Sequence, residues 1–303
     1  MKKQLIILGI AVSLITSACT FNNSFKGDEN VVRKGKNVET FQTIEVGGSI
    51  DNMKVYFTQD STAPLIRIEV DSNVLEKMAI FVKNNTLTIK KKDGFEQLHL
   101  SPSICNIYCN AAVLKEVVIM GSGSVICQTP LTGEALDVRI IGSGDFTAEQ
   151  PSSITHFNSV IAGSGDIIFS GSGQTIECNL YGSGDMKFKG NYANLEARYS
   201  GSGDISYEGD VQEVNLQQSG SGDLLLIGHI DKANLQIAGS GDVNALKCTI
   251  KQLEAQISGS GDISAEVLEM LSVKINGSGS VLYKGNPTVN SNITGSGEVK
   301  RIE

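Results

Sequence analysis

The chain has 303 residues, five prolines, no tryptophan and a formal charge of −8. A balance of that sign argues against nucleic acid or an anionic lipid surface as the main partner. An apolar content of 40% is ordinary for a folded protein; 33 glycines are not, and their placement carries the fold.

Lys2 and Lys3 precede an almost unbroken apolar run from Leu5 to Ile15. About eleven such residues suit the core of a secretory signal and are too few for a permanent membrane span. Thr16-Ser-Ala-Cys19 follows at once. It resembles the lipobox of bacterial lipoproteins, in which small residues precede a cysteine that receives lipid, although Thr16 stands where Leu or Val is usual. Residues 1–18 are therefore expected to be a signal peptide and Cys19 the lipidation site, anchored at ~0.8 kcal/mol per buried methylene. The next stretch, with Asn22, Asn23, Ser24, Lys26, Gly27 and Asp28, is polar and aperiodic. Residues 19–40 then read as lipid anchor and tether. These features predict an exported protein of the cell envelope, an outer-membrane lipoprotein on the periplasmic or the surface side.

Residues 41–120 hold strand-like runs at Thr43–Val46, Met53–Thr58, Leu65–Val70, Ala79–Lys83, Thr86–Lys90 and Val113–Met120. Asn84-Asn85 between two of them reads as a hairpin turn. We expect irregular opening coils here, with a hairpin excursion. Lys90-Lys-Lys92 is a basic tip, read as a solvated turn. Besides Cys19 there are five cysteines, an odd number without CxxC spacing. They are expected to fill the interior as small apolar side chains. His99, His156 and His229 are scattered, so zinc is not expected.

From residue 121 the chain repeats. Gly-Ser-Gly begins at Gly121, Gly142, Gly163, Gly182, Gly201, Gly220, Gly239, Gly259, Gly277 and Gly295, at intervals of 18 to 21 residues. Before each corner, apolar residues alternate with polar ones: Ala233, Leu235 and Ile237 around Asn234 and Gln236, then Leu253, Ala255 and Ile257 around Glu254 and Gln256. After it the alternation resumes, as in Leu224 and Leu226. Period two marks a strand with one buried face. A second glycine often follows eight residues after the first, at Gly190, Gly209 and Gly228. A unit of about 19 residues cannot bury its inward face alone and must stack on copies of itself. A propeller blade needs about 40 residues. One coil of a parallel β-solenoid fits, with equivalent strands about 4.8 Å apart and a rod at least ~45 Å long. The fold class is thus all-β, a right-handed parallel β-helix, regular over 121–303. Glycine is expected at the corners for two reasons: positive φ and the close approach of stacked backbones.

In seven consecutive copies an aspartate follows the tripeptide: Asp145, Asp166, Asp185, Asp204, Asp223, Asp242 and Asp262, with Ser124, Ser280 and Glu298 in the outer copies. Stacked carboxylates at that spacing repel by ~0.9 kcal/mol per pair in bulk water. Three roles are open. The carboxylates can accept hydrogen bonds from corner amides. They can recruit a hard cation such as Ca²⁺, although the calcium-binding nine-residue solenoid motif is absent. They can cleave polysaccharide, as carboxylates of some β-helix enzymes do. Catalysis by a carboxylate pair needs two different environments, and seven equivalent rungs offer none. No other catalytic set is present and no cofactor is implied.

Phe41-Gln-Thr-Ile-Glu-Val46, Thr86-Leu-Thr-Ile-Lys90 and the recurring Gly-Ser-Gly-Asp corners make residues 41–300 similar to the family of putative auto-transporter adhesins, head GIN domain. The resemblance implies an exported right-handed parallel β-helix with no established activity. The expected function is a non-catalytic, adhesion-like scaffold. It would sit on the membrane through its lipid anchor and meet an envelope or extracellular macromolecule. The alternatives are a polysaccharide-active enzyme and a Ca²⁺-stabilised structural protein. The outward faces carry few aromatics, so a dedicated carbohydrate site is not expected.

Overall fold

The computed structural model describes residues 24–303, so the expected signal peptide and Cys19 lie outside the described residues. From Ser124 onwards the chain winds as stacked coils in which equivalent strands pair in parallel, in register except for bulges where neighbouring coils differ in length. Ile205–Gln218 lies on Leu224–Ile237, joining Ile205 to Leu224, Val211 to Ile230 and Gln218 to Ile237. The next coil repeats this, joining Leu224 to Val243 and Ile237 to Ile257. The expected β-solenoid is what forms. Alternation puts Leu195, Val214, Ala233, Leu253 and Leu271 in one inward column, all buried. Mixed sizes let the columns interlock, as in Ala197, Leu216, Leu235 and Ala255, where large and small residues share one line.

The two corners of a coil work differently. None of the Gly-Ser-Gly glycines has positive φ, which corrects one of the two reasons expected for them. What excludes a side chain is the coil beneath. A Cβ on Gly201 would lie 1.9 Å from the Gly182 carbonyl oxygen, and one on Gly203 2.0 Å from that of Gly184. At the second corner both reasons hold. Gly190, Gly209 and Gly228 have φ of 132°, 152° and 129°, and the strand bends there without losing its pairing.

The opening region departs from this order. Its elements are β1 (Ser24–Lys26), β2 (Val31–Asn37), β3 (Thr43–Val46), β4 (Met53–Gln59), β5 (Leu65–Asp71), a one-turn helix α1 (Ser72–Leu75), β6 (Met78–Lys83), β7 (Thr86–Lys91), β8 (His99–Ser101) and β9 (Cys105–Ala111). β3 and β4 make one coil, but the chain does not build upwards from it. β7 and β9 slide beneath, pairing parallel to β3 and β4. Only then does the chain return above, with Glu116–Ile119 on β3 and Ser124–Cys127 on β4. Antiparallel strands close the lower end: β6 on β7, and β5 on β9 with β2 outside it. The β6–β7 hairpin turns at Asn84 and Asn85, whose φ values of 51° and 65° match the two left-handed residues of a type I′ turn.

Part of the predicted tether is therefore structured. β1 pairs with β8 and β2 with β5, while Asp28 accepts from the Ser72 hydroxyl and the Asn30 amide. Edge strands of this kind are held by main-chain bonds, which leave no apolar period in the sequence. The basic tip is also internally committed. Lys91 Nζ donates to the Glu96 and Leu98 carbonyls, and Lys92 Nζ to that of Glu76.

Candidate functional site

The aspartate column forms a ladder. Asp204 N donates to Asp185 Oδ1 at 3.0 Å, Asp223 N to Asp204 Oδ1 at 2.8 Å and Asp242 N to Asp223 Oδ1 at 2.8 Å. The same bond joins Asp166 to Asp145, Asp185 to Asp166 and Asp262 to Asp242. It exists because the corner interrupts the main-chain ladder. Ser202 N still reaches the Gly182 carbonyl below, but Ile205 N turns to the Asp223 carbonyl above. Between them the Asp204 amide meets a carboxylate where a strand would supply a carbonyl. Serine can serve at the far end, since Ser280 Oγ accepts from Glu298 N. At the near end Ser124 Oγ donates to Asp145 Oδ2. Of the three expected roles this is the first, with the amide supplied by the next coil. Every one of the seven carboxylates accepts from the main-chain amide of the next coil, and among the described residues only Asp145 has a hydroxyl donor besides, so the rungs share one environment. Among the described residues no group of three or more His, Cys, Asp or Glu is placed to hold a metal.

The histidines stay apart. His99 contacts Asp51 at 2.9 Å, and His229 contacts Thr249 at 2.8 Å. Cys105, Cys109, Cys127, Cys178 and Cys248 are all buried and unbridged, as expected of apolar fillers. Burial pushes the thiols of Cys105, Cys109 and Cys248 up to about 12 and raises those of Cys127 and Cys178 as well. None is poised as a nucleophile.

The outer surface is where coils differ. The residue just before each Gly-Ser-Gly faces solvent, and in four successive coils it is Met120, Ile141, Ala162 and Tyr181. Ile141, Tyr181 and Met120 are 58%, 57% and 46% exposed, high values for large apolar side chains. In the following coils the same column shrinks to Ser200, Ser219, Ala238 and Ser258. A groove of about 360 Å³ opens over these small residues. Tyr181 and Arg198 stand at one end, and Gln217, Gln236 and Gln256 form its wall. Arg198 is fixed by Glu177 at 2.9 Å and Glu196 at 3.1 Å. At the opening end, Tyr56 and Tyr108 stack with ring centroids 4.9 Å apart, and the Arg67 guanidinium lies 5.3 Å from the Tyr108 ring. Aromatic side chains on the outward faces are few, but Tyr181 and the Tyr56–Tyr108 stack group some of them beside open surface. Tyr181 was readable by aligning the residue before each corner. The Tyr56–Tyr108 stack was not, because it depends on β9 lying beneath β4.

These features define a parallel β-solenoid whose acidic column binds its own backbone and whose distinctive chemistry is displayed outward. The chain belongs to the family of putative auto-transporter adhesins, head GIN domain, whose model matches residues 40–190 and 177–287. A putative lipid binding protein from Parabacteroides distasonis is similar at 25% identity with a TM-score of 0.58, over 92% of this chain and all of its own. A putative adhesin from Parabacteroides merdae shares the fold at 21% identity and 0.58 over 93% of this chain and all of its own. Another from Parabacteroides distasonis does so at 20% and 0.57 over 92% and all of its own. No curated protein matches the chain. Membership of a family described as putative adhesins points to an exported or cell-surface protein with a binding or adhesion role.

Proposed function

We propose that the protein is a lipid-anchored scaffold of the cell envelope that presents its outer faces to another macromolecule. The observation that carries this reading is the contrast between the two chemistries of the rod. The one column with catalytic residue types is spent on backbone amides, while the variable, solvent-facing positions form a groove and an exposed apolar column. The leader and Cys19 support the anchor, and Cys19 remains the proposed lipidation site. An outer-membrane position, on either leaflet side, belongs to the same proposal.

The test is made on intact cells. Palmitate label should appear in the wild-type chain and vanish in Cys19→Ala, and the purified chain should capture envelope or host-surface material. Label retained by Cys19→Ala removes the anchor, and failure to capture anything from either source removes the scaffold. Turnover of a polysaccharide abolished by Asp204→Asn or Asp223→Asn would replace the scaffold with an enzyme. An unchanged melting midpoint after chelation is expected, since each carboxylate already has a donor; a large fall would restore the Ca²⁺ alternative.

A further inference from the structure

We infer that the groove bounded by Tyr181 and walled by Gln217, Gln236 and Gln256 binds an uncharged linear oligosaccharide lying along the solenoid axis. This deepens the scaffold reading and rests on it.

Four observations converge on that ligand. The first is the aromatic end. Tyr181 is 57% exposed, and the next residue in its column, Ser200, is too short to cover a phenol ring. A ring face left open beside a groove is a surface on which the C–H face of a sugar can rest, giving apolar contact with little loss of side-chain freedom. The second is the amide wall. Gln217, Gln236 and Gln256 occupy equivalent positions in three successive coils. Each presents one acceptor and two donor hydrogens, and among the described residues none of these side-chain amides has a protein hydrogen-bond partner. A row of donors and acceptors at about 4.8 Å intervals matches a ligand carrying hydroxyls along its length.

The third is charge. The protein is strongly acidic, yet Arg198 is the one charged residue lining the groove, and it is already paired with both Glu177 and Glu196. A ligand with carboxylates or sulfates would find no unpaired cation there. A cationic peptide would find only carboxylates already engaged by Arg198. An uncharged, hydroxyl-rich ligand fits. The fourth is shape. The groove crosses the coils from Tyr181 to Ser258, so it follows the rod. A smaller depression shares Arg198, Gln217 and Gln236 with it and adds Asn215 and Asn234, whose amides bond each other at 2.8 Å. The polar surface therefore continues sideways on the same sheet.

The full mature chain is titrated by calorimetry with hexasaccharides of glucose, mannose, xylose and N-acetylglucosamine, and with acidic hexagalacturonate. At least one neutral hexasaccharide should bind and hexagalacturonate should bind more weakly. Tyr181→Ala should weaken binding on the order of tenfold and Gln236→Ala several-fold, while Tyr181→Phe should keep most of it. Both positions are on the surface, and circular dichroism melts confirm that the three variants fold. Binding to none of the neutral sugars, binding only to the acidic one, or affinity unmoved by Tyr181→Ala and Gln236→Ala overturns the proposal. So does a stable dimer in light scattering that Tyr181→Ala dissociates, because a second copy would then occupy the groove. Capture of envelope or host material is measured in parallel. If capture persists in Tyr181→Ala while the sugars fail, this site falls and the scaffold stands; if both fail, the scaffold falls too.

Discussion

The opening region and the regular coils bury the same kinds of residue but are specified in opposite ways. Beyond residue 121 each strand meets its own near-copy, and the architecture follows from repetition and from glycine where backbones touch. Before it, each pairing is individual: β3 lies between β7 below and Glu116–Ile119 above, and antiparallel strands close the end. Local contacts there are equally particular. Asp71, fully buried, accepts from the Ser103 amide and hydroxyl. A repeat array needs an atypical end that stops stacking, and uniform sequence cannot supply one. The lesson is that regularity makes the rod and irregularity terminates it.

Breaking the regular half should be most damaging at a corner. Gly201→Ala would put a methyl 1.9 Å from a carbonyl oxygen of the coil below, where only backbone can move. We expect a loss of more than about 3 kcal/mol in urea melts, or failure to fold. By contrast Gly35→Ala in β2 meets nothing within 4 Å, so a change within about 0.5 kcal/mol is expected. Equal effects at both glycines would refute the close-approach explanation.

In the opening half Asp71→Ala should cost about 1.5–3 kcal/mol, because a fully buried side chain that holds both the amide and the hydroxyl of Ser103 is lost. The ladder is a milder case. Asp223→Ala strands the Asp242 amide and should cost about 1 kcal/mol, whereas Asp223→Asn keeps the acceptor and relieves repulsion between neighbouring rungs, leaving stability equal or slightly higher. If the asparagine variant were the worse of the two, the charge itself would matter and the amide-acceptor account would fail. The smallest effect concerns protons. Hydrogen bonds from Thr62 and Asn110 hold the Asp60 carboxyl below its ordinary value. A depressed carboxylate contributes stability above its unfolded value of about 3.9 and loses it as pH falls through the lower folded one. Titration followed by NMR should therefore show a midpoint below that of Asp60 in an unfolded fragment. The five buried thiols should resist a disulfide reagent at pH 8 until denaturant is added, in either half.

Much of the regular half was legible in advance. Period-two alternation and ten corners determine coil length, inward residues and parallel stacking, because each coil answers to its neighbours alone. The opening strands were legible one by one, but their order in the stack was not: Thr43 pairs with Thr86, and nothing local in Phe41–Val46 says so. The aspartate bond was legible as a type, while the coil that supplies the amide emerges only from the stacking. The reason for glycine was half right, since the corner φ values are ordinary and the steric limit comes from the adjacent rung. Tyr181 was visible as an outward residue. Its meaning depends on Ser200, Ser219 and Ala238 being small in the next coils, a property of a column rather than of a segment.

The coil inserted beneath β3 and β4 also bears on how the molecule comes into being. Asp204 and Asp223 lie 19 residues apart, so regular coils join partners of low sequence separation, the kind that form fast. β3 and β4 must instead wait for β7 and β9 on one side and for residues 116–127 on the other. A chain threaded through a narrow channel amino end first could not complete its first coil until more than a hundred residues had passed. The strands that begin the protein are thus kept from folding early, and delay is written into the topology itself.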